Sequence, residues 1–444
     1  MFIAGWRLRQ TALPARRKRP ACQPCTSGWL DLGQGNRSQL ELHAIFMKRG
    51  AMLIVDVNEF YSPTGGGVRS YLDRKMAILS ELGHRQIVIA PGRDDLVEDR
   101  PGGARIHYVK SPVLPFDANY GLFWDAAPVH ELLDRYQPDV VENCAPWRSS
   151  AIVSDWQGSA VRSWFMHNDN MEAYPKRWFA RIASEATIER AFGWYDRHMA
   201  RCLERFDTVV TNGPVLTERL RARGLRVDAT MTLGIEREYF SPELRNPALR
   251  KALLTQCGLP EDAYLLIGVG RHHPEKRWPT VIDAVRRAGA KLPVGLVLLG
   301  LGPNTRTLER HIAESPHVRM FQPIYHRQQL ASLMASADAY IHGGDSEPFG
   351  LVASEALASG LPLVVPNRGG AAAIAQPRFA ETYRSGDAYD CAKAIVALAS
   401  RDQILLRRAA AIAASKVRSD REHVEALIAH YQMLIDHRQA ALLA

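Results

Sequence analysis

The chain has 444 residues, of which 46% are hydrophobic and 23% are charged, and its formal net charge is +9. This length leaves room for two domains. Residues 1–51 hold nine Lys or Arg against two acidic residues and so carry +7, which leaves +2 for the rest of the chain. Because binding to duplex nucleic acid requires clustered basic residues, this nearly neutral body argues against a nucleic-acid partner.

Residues 1–51 lack the alternating strand and helix patterns of the remaining chain. They contain the basic run Arg16–Arg19 and several prolines, and the first convincing strand begins at Met52, shortly after Met47. We expect a disordered extension or an over-long start. A transit peptide would need an amphipathic helix, and a secretory signal would need an apolar core; neither pattern is present. No run of eighteen apolar residues predicts a membrane-spanning helix.

Six cysteines are scattered along the chain: Cys22, Cys25, Cys144, Cys202, Cys257 and Cys391. Cys22 and Cys25 have the spacing of half a zinc site, but no second Cys or His pair stands at a suitable distance. We expect all six to be reduced and structural, which is typical of a cytoplasmic protein.

The first strand pattern, Met52–Val57, is followed by a glycine-rich loop, Pro63-Thr-Gly-Gly-Gly-Val68, and by a helical pattern over Arg69–Leu82. Without side chains, Gly66 and Gly67 let their N–H groups approach a phosphate or a sugar closely. Glycine triplets also form plain flexible turns, but the position directly after the first strand favours ligand binding.

Two further features precede the midpoint of the chain. The strand pattern Val161–Met166 ends at His167, and a single histidine at such a place is usually a structural hydrogen-bonding residue. A helix rich in arginine and aromatic residues is predicted from Tyr174 to Phe206. It can dock on an anionic membrane or hold a lipid-linked acceptor, or it can be a packed helix with its arginines reaching to solvent.

The second half repeats the alternation of strands and helices, which predicts an α/β fold. We place the domain boundary near Ser241, expect a helix over Asn246–Cys257 to open the second domain, and expect a last helix over Val424–Asp436. The predicted strands are Tyr264–Val269, Val294–Leu299, Val318–Phe321, Ala339–His342 and Leu363–Pro366.

The strand Tyr264–Val269 ends in Arg271-His-His-Pro-Glu-Lys276. Cations at the C-terminal end of a buried parallel strand face the crevice where open α/β sheets bind ligands, so Arg271 and Lys276 can neutralise a diphosphate. A different motif, Gly300-x-Gly302, follows a later strand and could begin a dinucleotide fingerprint. Thr305 replaces its third glycine and no acidic residue follows for a ribose, so a nicotinamide enzyme is the weaker interpretation.

The segment Glu347-Pro-Phe-Gly-Leu-Val-Ala-Ser-Glu355 lies between a predicted strand and a predicted helix. Gly350 opens the backbone, and the free N–H groups of Leu351 and Val352 form a helix N-terminus that attracts phosphate. Glu355 is placed to accept hydrogen bonds from hydroxyl groups. This layout suits a ligand with a central diphosphate and polyols at both ends, as in a nucleotide sugar.

The segment 347–355 resembles the E-x7-E signature of retaining GT-B glycosyltransferases, most closely those of family 4, and Gly360–Val365 also fits that family. The resemblance implies two doubly wound parallel-sheet, Rossmann-like domains that face a central cleft. Residues 52–241 would be the acceptor-side domain and residues 242–415 the nucleotide-sugar domain. Residues 416–444 would form a helix that crosses back onto the first domain.

The resemblance also implies roles for individual residues. Arg271 and Lys276 would hold the diphosphate and stabilise it as it leaves, Glu347 would hold hydroxyls of the sugar, and Glu355 would hold the ribose. The donor would further contact Gly66, Gly67, Phe349, Gly350 and Leu351, with His167 near the transferred sugar. Two departures from the family pattern are His272-His273 and Leu233, which stands where asparagine is usual.

The implied reaction is hexosyl transfer with retention of anomeric configuration and without a covalent enzyme intermediate. No cofactor is expected, and because no Asp-x-Asp motif stands in the predicted cleft, no metal ion either. GDP-mannose and UDP-glucose are the leading donors, since Gln322–Tyr325, at the position of the family's base pocket, does not separate them. The acceptor would be a glycan, a lipid or a lipid-linked sugar, which leaves open an association with the inner membrane face. A GT-B epimerase and a noncatalytic nucleotide-sugar binding module are the alternatives.

Overall fold

The computed structural model describes residues 50–62, 67–114, 117–179 and 182–443. The extension predicted for residues 1–51 therefore lies almost wholly outside the described residues, as do Cys22 and Cys25. The remaining cysteines, Cys144, Cys202, Cys257 and Cys391, are free thiols.

The described part of the first half forms a first lobe around an eight-stranded sheet, with a small hairpin beside it. Its strands are β1 (Leu53–Val57), β2 (Arg85–Gly92), β3 (Leu96–Asp99), β4 (Arg105–Lys110), β5 (Val113–Leu114), β6 (Asp117–Gly121), β7 (Val140–Asn143), β8 (Val161–Met166), β9 (Thr208–Thr211) and β10 (Ala229–Thr230). The sheet order is β10-β9-β8-β7-β1-β2-β4-β3, while β5 and β6 pair as the hairpin. All neighbours in the large sheet run parallel except the edge pair β3 and β4.

Helices cover both faces of this sheet. They are α1 (Gly67–Glu81), α2 (Ala127–Tyr136), α3 (Arg148–Asp155), α4 (Arg177–Phe179), α5 (Glu185–Ala191), α6 (Gly193–Leu203) and α7 (Pro214–Ala222). The helix predicted over Arg69–Leu82 thus begins two residues earlier, at Gly67.

The second lobe has a six-stranded sheet in the order β13-β12-β11-β14-β15-β16, and all of its pairs are parallel. Its strands are β11 (Tyr264–Val269), β12 (Val294–Leu299), β13 (Val318–Phe321), β14 (Ala339–Ile341), β15 (Leu363–Pro366) and β16 (Ala380–Tyr383). Its helices are α8 (Pro247–Gln256), α9 (Trp278–Ala288), α10 (Thr305–Ala313), α11 (Arg327–Ser336), α12 (Leu351–Ala358), α13 (Gly370–Ile374), α14 (Ala388–Ala399) and α15 (Gln403–Ala414).

The central strand β11 shows why unbroken apolar runs predict these strands. Leu265 and Ile267 enter the core on one face of the sheet, whereas Tyr264 and Leu266 enter the core on the other. A strand that is covered on both faces needs apolar residues at successive positions. The two lobes confirm the predicted α/β class with two doubly wound parallel sheets.

The order of the strands places a binding crevice in each lobe. In the first sheet the chain reverses its direction of winding between β1 and β7, and in the second sheet it does so between β11 and β14. Ligands of open α/β sheets bind outside the carboxyl ends of strands at such switch points. Gly67 lies beyond β1, Arg271 and Lys276 follow β11, and Glu347 follows β14.

The last helix, α16 (Asp420–Leu443), belongs to the end of the chain but packs on the first lobe. Its Tyr431 hydroxyl contacts Glu142 and lies 2.9 Å from Ser163 Oγ. Glu142 in turn holds the buried ammonium of Lys75 at 2.8 Å, and Asp56 lies 3.3 Å from the same group. The helix therefore closes over a buried charge cluster of the first lobe.

The arginine-rich segment differs from the single helix predicted over Tyr174–Phe206. It consists of a π-helical turn at Glu172–Lys176, the short α4, and then α5 and α6. Pro175 lies inside the π-helical turn. Ser184 caps α5 by accepting a hydrogen bond from the Thr187 N–H, and Phe192 lies between the end of α5 and the start of α6. Proline removes a helical hydrogen bond, and a serine N-cap starts a new helix.

No helix in the described ranges combines the length and the apolar character that crossing a membrane requires.

Candidate active site

The loop from β14 to α12 carries Glu347 and is shaped by glycine. Gly350 adopts φ +79°, and a Cβ there would lie 2.8 Å from the backbone nitrogen of Ala371. The N–H of Gly370 donates to the Glu347 carbonyl at 2.6 Å. The side of Gly350 that would carry a Cβ therefore faces the Gly370–Ala371 backbone and not a ligand. The prediction that this glycine opens the backbone to a ligand was wrong. The effect of Gly350 is to fix the start of α12 and the position of Glu347.

Lys276 and Glu347 form an ion pair, with Nζ and Oε2 2.7 Å apart. Burial alone would raise the pKa of Glu347, but the charge of Lys276 and its hydrogen bond hold it below its usual range. Burial would likewise lower the pKa of Lys276, yet Glu347 and Glu275 raise it. Both groups are therefore charged at neutral pH. Because an ammonium has three donors, Lys276 can hold Glu347 and still donate to a phosphate oxygen.

Arg271 extends from the same strand end as Lys276. Its Nη2 lies 3.2 Å from Glu275 Oε1, and its backbone carbonyl accepts a hydrogen bond from Trp278 Nε1 at 3.1 Å. The next cation, Arg277, has a left-handed backbone with φ 47° and binds Asp345 at 2.9 Å. A left-handed non-glycine residue is uncommon. Here the Asp345 contact ties the turn after Lys276 to the loop that bears Glu347.

His272, one of the two departures from the family pattern, has a structural role. Its Nδ1 lies 2.9 Å from Thr305 Oγ1, which also accepts from the Gly302 N–H at 3.1 Å. A Cβ at Gly300 would lie 2.0 Å from the Gly270 carbonyl oxygen, and one at Gly302 would lie 2.6 Å from the His272 carbonyl oxygen. The Gly300-x-Gly302 motif is therefore explained by packing against residues 270–272, which removes the reason for a dinucleotide interpretation.

His167 stands on the opposite wall of the site. Its ring contacts those of Tyr71 and Phe165, with both centroid distances 4.7 Å. Burial lowers the pKa of His167 to about 4, so the imidazole is neutral at pH 7. Asn212 donates from Nδ2 to the His167 carbonyl at 2.8 Å. Among the described residues, neither His167 Nε2 nor Asn212 Oδ1 has a hydrogen-bond partner, so both atoms are available to a ligand.

These elements enclose a cleft of about 300 Å³ between the lobes. The predicted residues that line it are Gly67, His167, Arg271, Lys276, Glu347, Phe349 and Leu351. Gly350 lies within the same loop, behind the lining surface. Gly66 lies outside the described residues.

Glu355 is set deeper than expected and is not part of the cleft lining. Its carboxylate accepts a hydrogen bond from Arg327 Nη2 at 2.5 Å. Burial raises the pKa of Glu355 against the opposing charge of Arg327. The arginine is 28 residues away in sequence, and no local pattern predicts the pair.

Other lining residues were missed from the sequence, among them Phe60, Tyr71, Arg74, Tyr120, Asn168, Tyr174 and Asn212. Two signals were present. Gly67, Tyr71 and Arg74 share one face of α1 at helical spacing, so the helix after the glycine loop predicts further lining residues on that face. Asn168 comes two residues after the parallel strand β8 and Asn212 comes directly after β9, at the edge where ligands bind.

Comparison with known proteins agrees with this geometry. The family model described as "Glycosyl transferases group 1" matches residues 250–416, and the model "Glycosyltransferase Family 4" matches residues 65–230. The chain belongs to the group 1, family 4 type of GT-B glycosyltransferases. The two matches fall on the second and first lobes respectively, so the family assignment covers both walls of the cleft.

Two curated relatives of this glycosyltransferase are bacterial. It is 28% identical over 316 residues to a GDP-mannose-dependent alpha-(1-6)-phosphatidylinositol dimannoside mannosyltransferase of Mycobacterium tuberculosis, covering 71% of this chain and 79% of the relative. It is 25% identical over 393 residues to a GDP-mannose-dependent alpha-mannosyltransferase of Mycolicibacterium smegmatis, covering 87% and 99%.

Among solved structures, the glycosyltransferase is similar to sucrose-phosphate synthase from Thermosynechococcus elongatus, with a TM-score of 0.68 and 18% identity over 87% of this chain and 100% of the other. This likeness supports the GT-B fold. The protein is a hexosyltransferase that uses a nucleotide-sugar donor. The epimerase and the noncatalytic module are therefore set aside.

Proposed function

We propose that this glycosyltransferase moves a mannosyl group from GDP-mannose to a hydroxyl of a glycan or lipid-linked acceptor, with retention of anomeric configuration. The observation that carries the proposal is the convergence of Arg271, Lys276, Glu347 and the start of α12 in one cleft. Support for GDP-mannose comes from the names of both curated relatives quoted above.

The second lobe would bind the leaving diphosphate. Arg271 and Lys276 place two cations in the cleft. Leu351 begins α12 at the same place, and the first backbone N–H groups of a helix have no partner within the helix. Negative charge builds on the diphosphate as the sugar departs, and preorganised cations and backbone dipoles stabilise charge that develops in a transition state. The diphosphate would therefore leave without a proton donor.

Glu347 would hold the sugar. An ionised carboxylate is a pure acceptor, and Lys276 keeps the Glu347 carboxylate ionised and fixed in direction. Hydroxyls of the hexose can donate to it. From the opposite wall, the neutral His167 and the free Asn212 Oδ1 can bond the same sugar or the incoming hydroxyl. Retention follows if the acceptor approaches the anomeric carbon from the face that the diphosphate leaves, without an enzyme-bound intermediate.

A panel of nucleoside diphosphates and their sugars, compared by thermal shift, tests the donor, because a ligand that binds the folded state raises its stability by mass action. We expect GDP and GDP-mannose to give the largest shifts, with UDP-glucose as the competitor. Larger shifts with UDP and UDP-glucose would reject GDP-mannose. The anomeric configuration of the product, read by NMR, tests retention, and an inverted product would reject it.

A variant separates binding of the donor from transfer. Glu347→Ala should keep a shift with GDP, because the diphosphate cations remain, but should transfer mannose much more slowly. Full turnover by this variant would contradict the role of Glu347.

The proposal extends to the location of the enzyme. It would be cytoplasmic and would contact the inner membrane face through the segment Glu172–Leu203, where a lipid-linked acceptor would lie. Trp178, Ile182 and Trp194 of this segment are 57%, 78% and 56% exposed. Exposed aromatic and apolar side chains beside basic ones suit an interfacial surface. Lys176, however, is bound to Glu172 and Glu189 at 2.6 and 2.7 Å, so its charge is compensated.

Liposome flotation tests this surface, with protein that starts at Met52 so that the basic extension does not contribute. We expect binding to anionic vesicles that falls in Trp178→Ala. The control is Trp124→Ala, which removes a tryptophan that is 76% exposed outside the segment. Protein that stays in the unbound fraction would reject membrane contact.

A further inference from the structure

Glu355, the residue assigned to the donor ribose, is one end of a chain of charged side chains that crosses from the second lobe to the first. Arg327 Nη2 lies 2.5 Å from Glu355 Oε1, and Arg327 Nε lies 2.6 Å from Glu236 Oε2. Glu236 belongs to the linker between the lobes. The guanidinium of Arg327 thus contacts two carboxylates, that of Glu355 in α12 and that of Glu236 in the linker.

The chain continues into the first lobe. Arg74 of α1 lies 3.7 Å from Glu236 Oε2 through Nη1 and 2.8 Å from Asp420 Oδ2 of α16 through Nε. Glu236, Arg74 and Asp420 are 13%, 19% and 13% exposed at the side chain, so solvent screens these contacts only in part. Arg74 also lines the cleft. The linker carboxylate therefore joins two cations that belong to opposite lobes.

The orientation of Arg327 decides how Glu355 is presented. A free guanidinium favours a forked contact with both oxygens of one carboxylate. Here Glu236 occupies the Nε side, and the guanidinium carbon stands 4.8 Å from the centre of the Phe240 ring. Arg327 donates one hydrogen bond to Glu355, from Nη2 to Oε1 at 2.5 Å. The second carboxylate oxygen, Oε2, is not bonded to Arg327.

We propose that Glu236 is a positioning residue for donor binding: it holds Arg327 so that Glu355 keeps one carboxylate oxygen for the ribose hydroxyls of the nucleotide. The inference rests on the proposed function and on the ribose contact that the family resemblance implies for Glu355, which lies one helical turn behind Leu351 of the cleft lining. It does not depend on the base, because GDP and UDP share the ribose. Without the charge of Glu236, Arg327 turns its fork onto Glu355 and covers both oxygens.

The family resemblance is consistent with this arrangement. Arg327 begins α11 two residues after Tyr325, the last residue of the stretch Gln322–Tyr325 that the resemblance places at the base pocket. Arg271 and Lys276 bind the diphosphate from a different strand end, so the ribose contact can change while the diphosphate contact stays intact.

The test compares the full-length protein with its Glu236→Gln variant in calorimetric titrations with GDP, UDP and inorganic pyrophosphate. We expect the Kd of the tighter nucleotide to rise about tenfold in Glu236→Gln, the equivalent of losing one charge-assisted hydrogen bond, while the Kd of pyrophosphate stays unchanged. The control is Glu185→Gln. Glu185 also forms an ion pair between the lobes, 3.3 Å from Arg368, but both side chains are more than half exposed and neither touches Arg327. We expect its nucleotide Kd to change less than twofold.

Two results would overturn the positioning role: a wild-type nucleotide Kd in Glu236→Gln, or equal losses for nucleotide and pyrophosphate, which would indicate a general structural effect. A wild-type protein that binds pyrophosphate but neither nucleotide would instead reject the proposed function. If Glu236→Gln does not fold, Arg327→Lys gives the same test, since lysine keeps the charge but cannot divide a planar fork between two carboxylates. A wild-type nucleotide Kd in Arg327→Lys would overturn the proposal equally.

Discussion

The ammonium of Lys276 lies 2.7 Å from the carboxylate of Glu347, although 71 residues separate them in the chain. The pair joins the end of β11 to the loop after β14, the two strands at the switch point of the second sheet. Under the proposed function, this pair would set a cation for the leaving diphosphate and a hydrogen-bond acceptor for the sugar at a fixed distance from each other.

Lys276→Ala should lower kcat/KM by about 100-fold to 1000-fold, the usual effect of removing one preorganised group that stabilises transition-state charge. The loss should appear in steady-state transfer assays with GDP-mannose. Lys251→Ala is the control, because Lys251 pairs with Glu261 on the surface of the second lobe and is 61% exposed. Unchanged kcat/KM in Lys276→Ala would refute the role of this lysine.

Gly350→Ala should lower the free energy of unfolding by about 2 to 4 kcal/mol, because the new Cβ combines a left-handed backbone with a clash against Ala371. Gly258→Ala is matched in backbone, with φ +68°, but its Cβ would meet no atom within 4 Å. It should cost about 1 kcal/mol. Chemical denaturation of both variants measures the difference, and equal losses would show that the contact with the Gly370–Ala371 backbone has no energetic weight.

Asn212→Ala should lower kcat/KM by about tenfold, since a hydrogen bond to the bound sugar or acceptor is lost. Stability should fall by only about 1 kcal/mol, from the lost bond to the His167 carbonyl. Asn170→Ala removes a comparable amide that bonds Tyr195 at 3.2 Å but does not line the cleft. If both variants lose activity equally, the effect of Asn212 is not local to the cleft.

Glu59 predicts a pH dependence of stability. This carboxylate lies beside Phe60 of the cleft wall and accepts hydrogen bonds from Ser149 Oγ at 2.8 Å and from the Phe123 N–H at 3.2 Å. Burial nonetheless raises the pKa of Glu59 from 4.5 to about 7. Because the folded pKa is raised, the favourable contribution is complete below about pH 4.5 and is lost as the pH rises through 7.

Urea unfolding of the wild type and of Glu59→Gln between pH 5 and pH 8 measures this contribution. The free energy of unfolding of the wild type, minus that of the variant, should fall by about 2 to 3 kcal/mol over this range. Replacing one carboxylate oxygen by an NH2 group changes the free energy of unfolding by the same amount at every pH. It therefore does not affect the change of this difference with pH. Parallel stability curves would disprove the raised pKa.

The sequence predicted the second sheet closely because buried parallel strands have unbroken apolar runs. Tyr264–Val269, Val294–Leu299, Val318–Phe321 and Leu363–Pro366 were placed with their observed bounds, whereas the short β16 was missed. The helix predicted from Tyr174 to Phe206 was wrong because composition was given more weight than Pro175 and the cap at Ser184.

The site was predictable where its residues follow strands or start a helix, as Arg271, Lys276 and Glu347 do. Their placement in one cleft depends only on strand order. The partners of Glu355 were not predictable, because Arg327, Glu236 and Arg74 meet through the folding of three separate elements. Long-range ion pairs leave no periodic trace in a sequence.

The contact of Tyr431 with Glu142 has a practical consequence for how this enzyme is handled. A protein that ends before Asp420 would lose no strand. It would nevertheless expose to water the buried cluster of Lys75, Asp56 and Glu142, which lies in the lobe that is synthesised first. The amino-terminal lobe cannot reach its final interior until the ribosome has released the end of the chain, so deletions and fusions at the carboxyl terminus act on the first lobe.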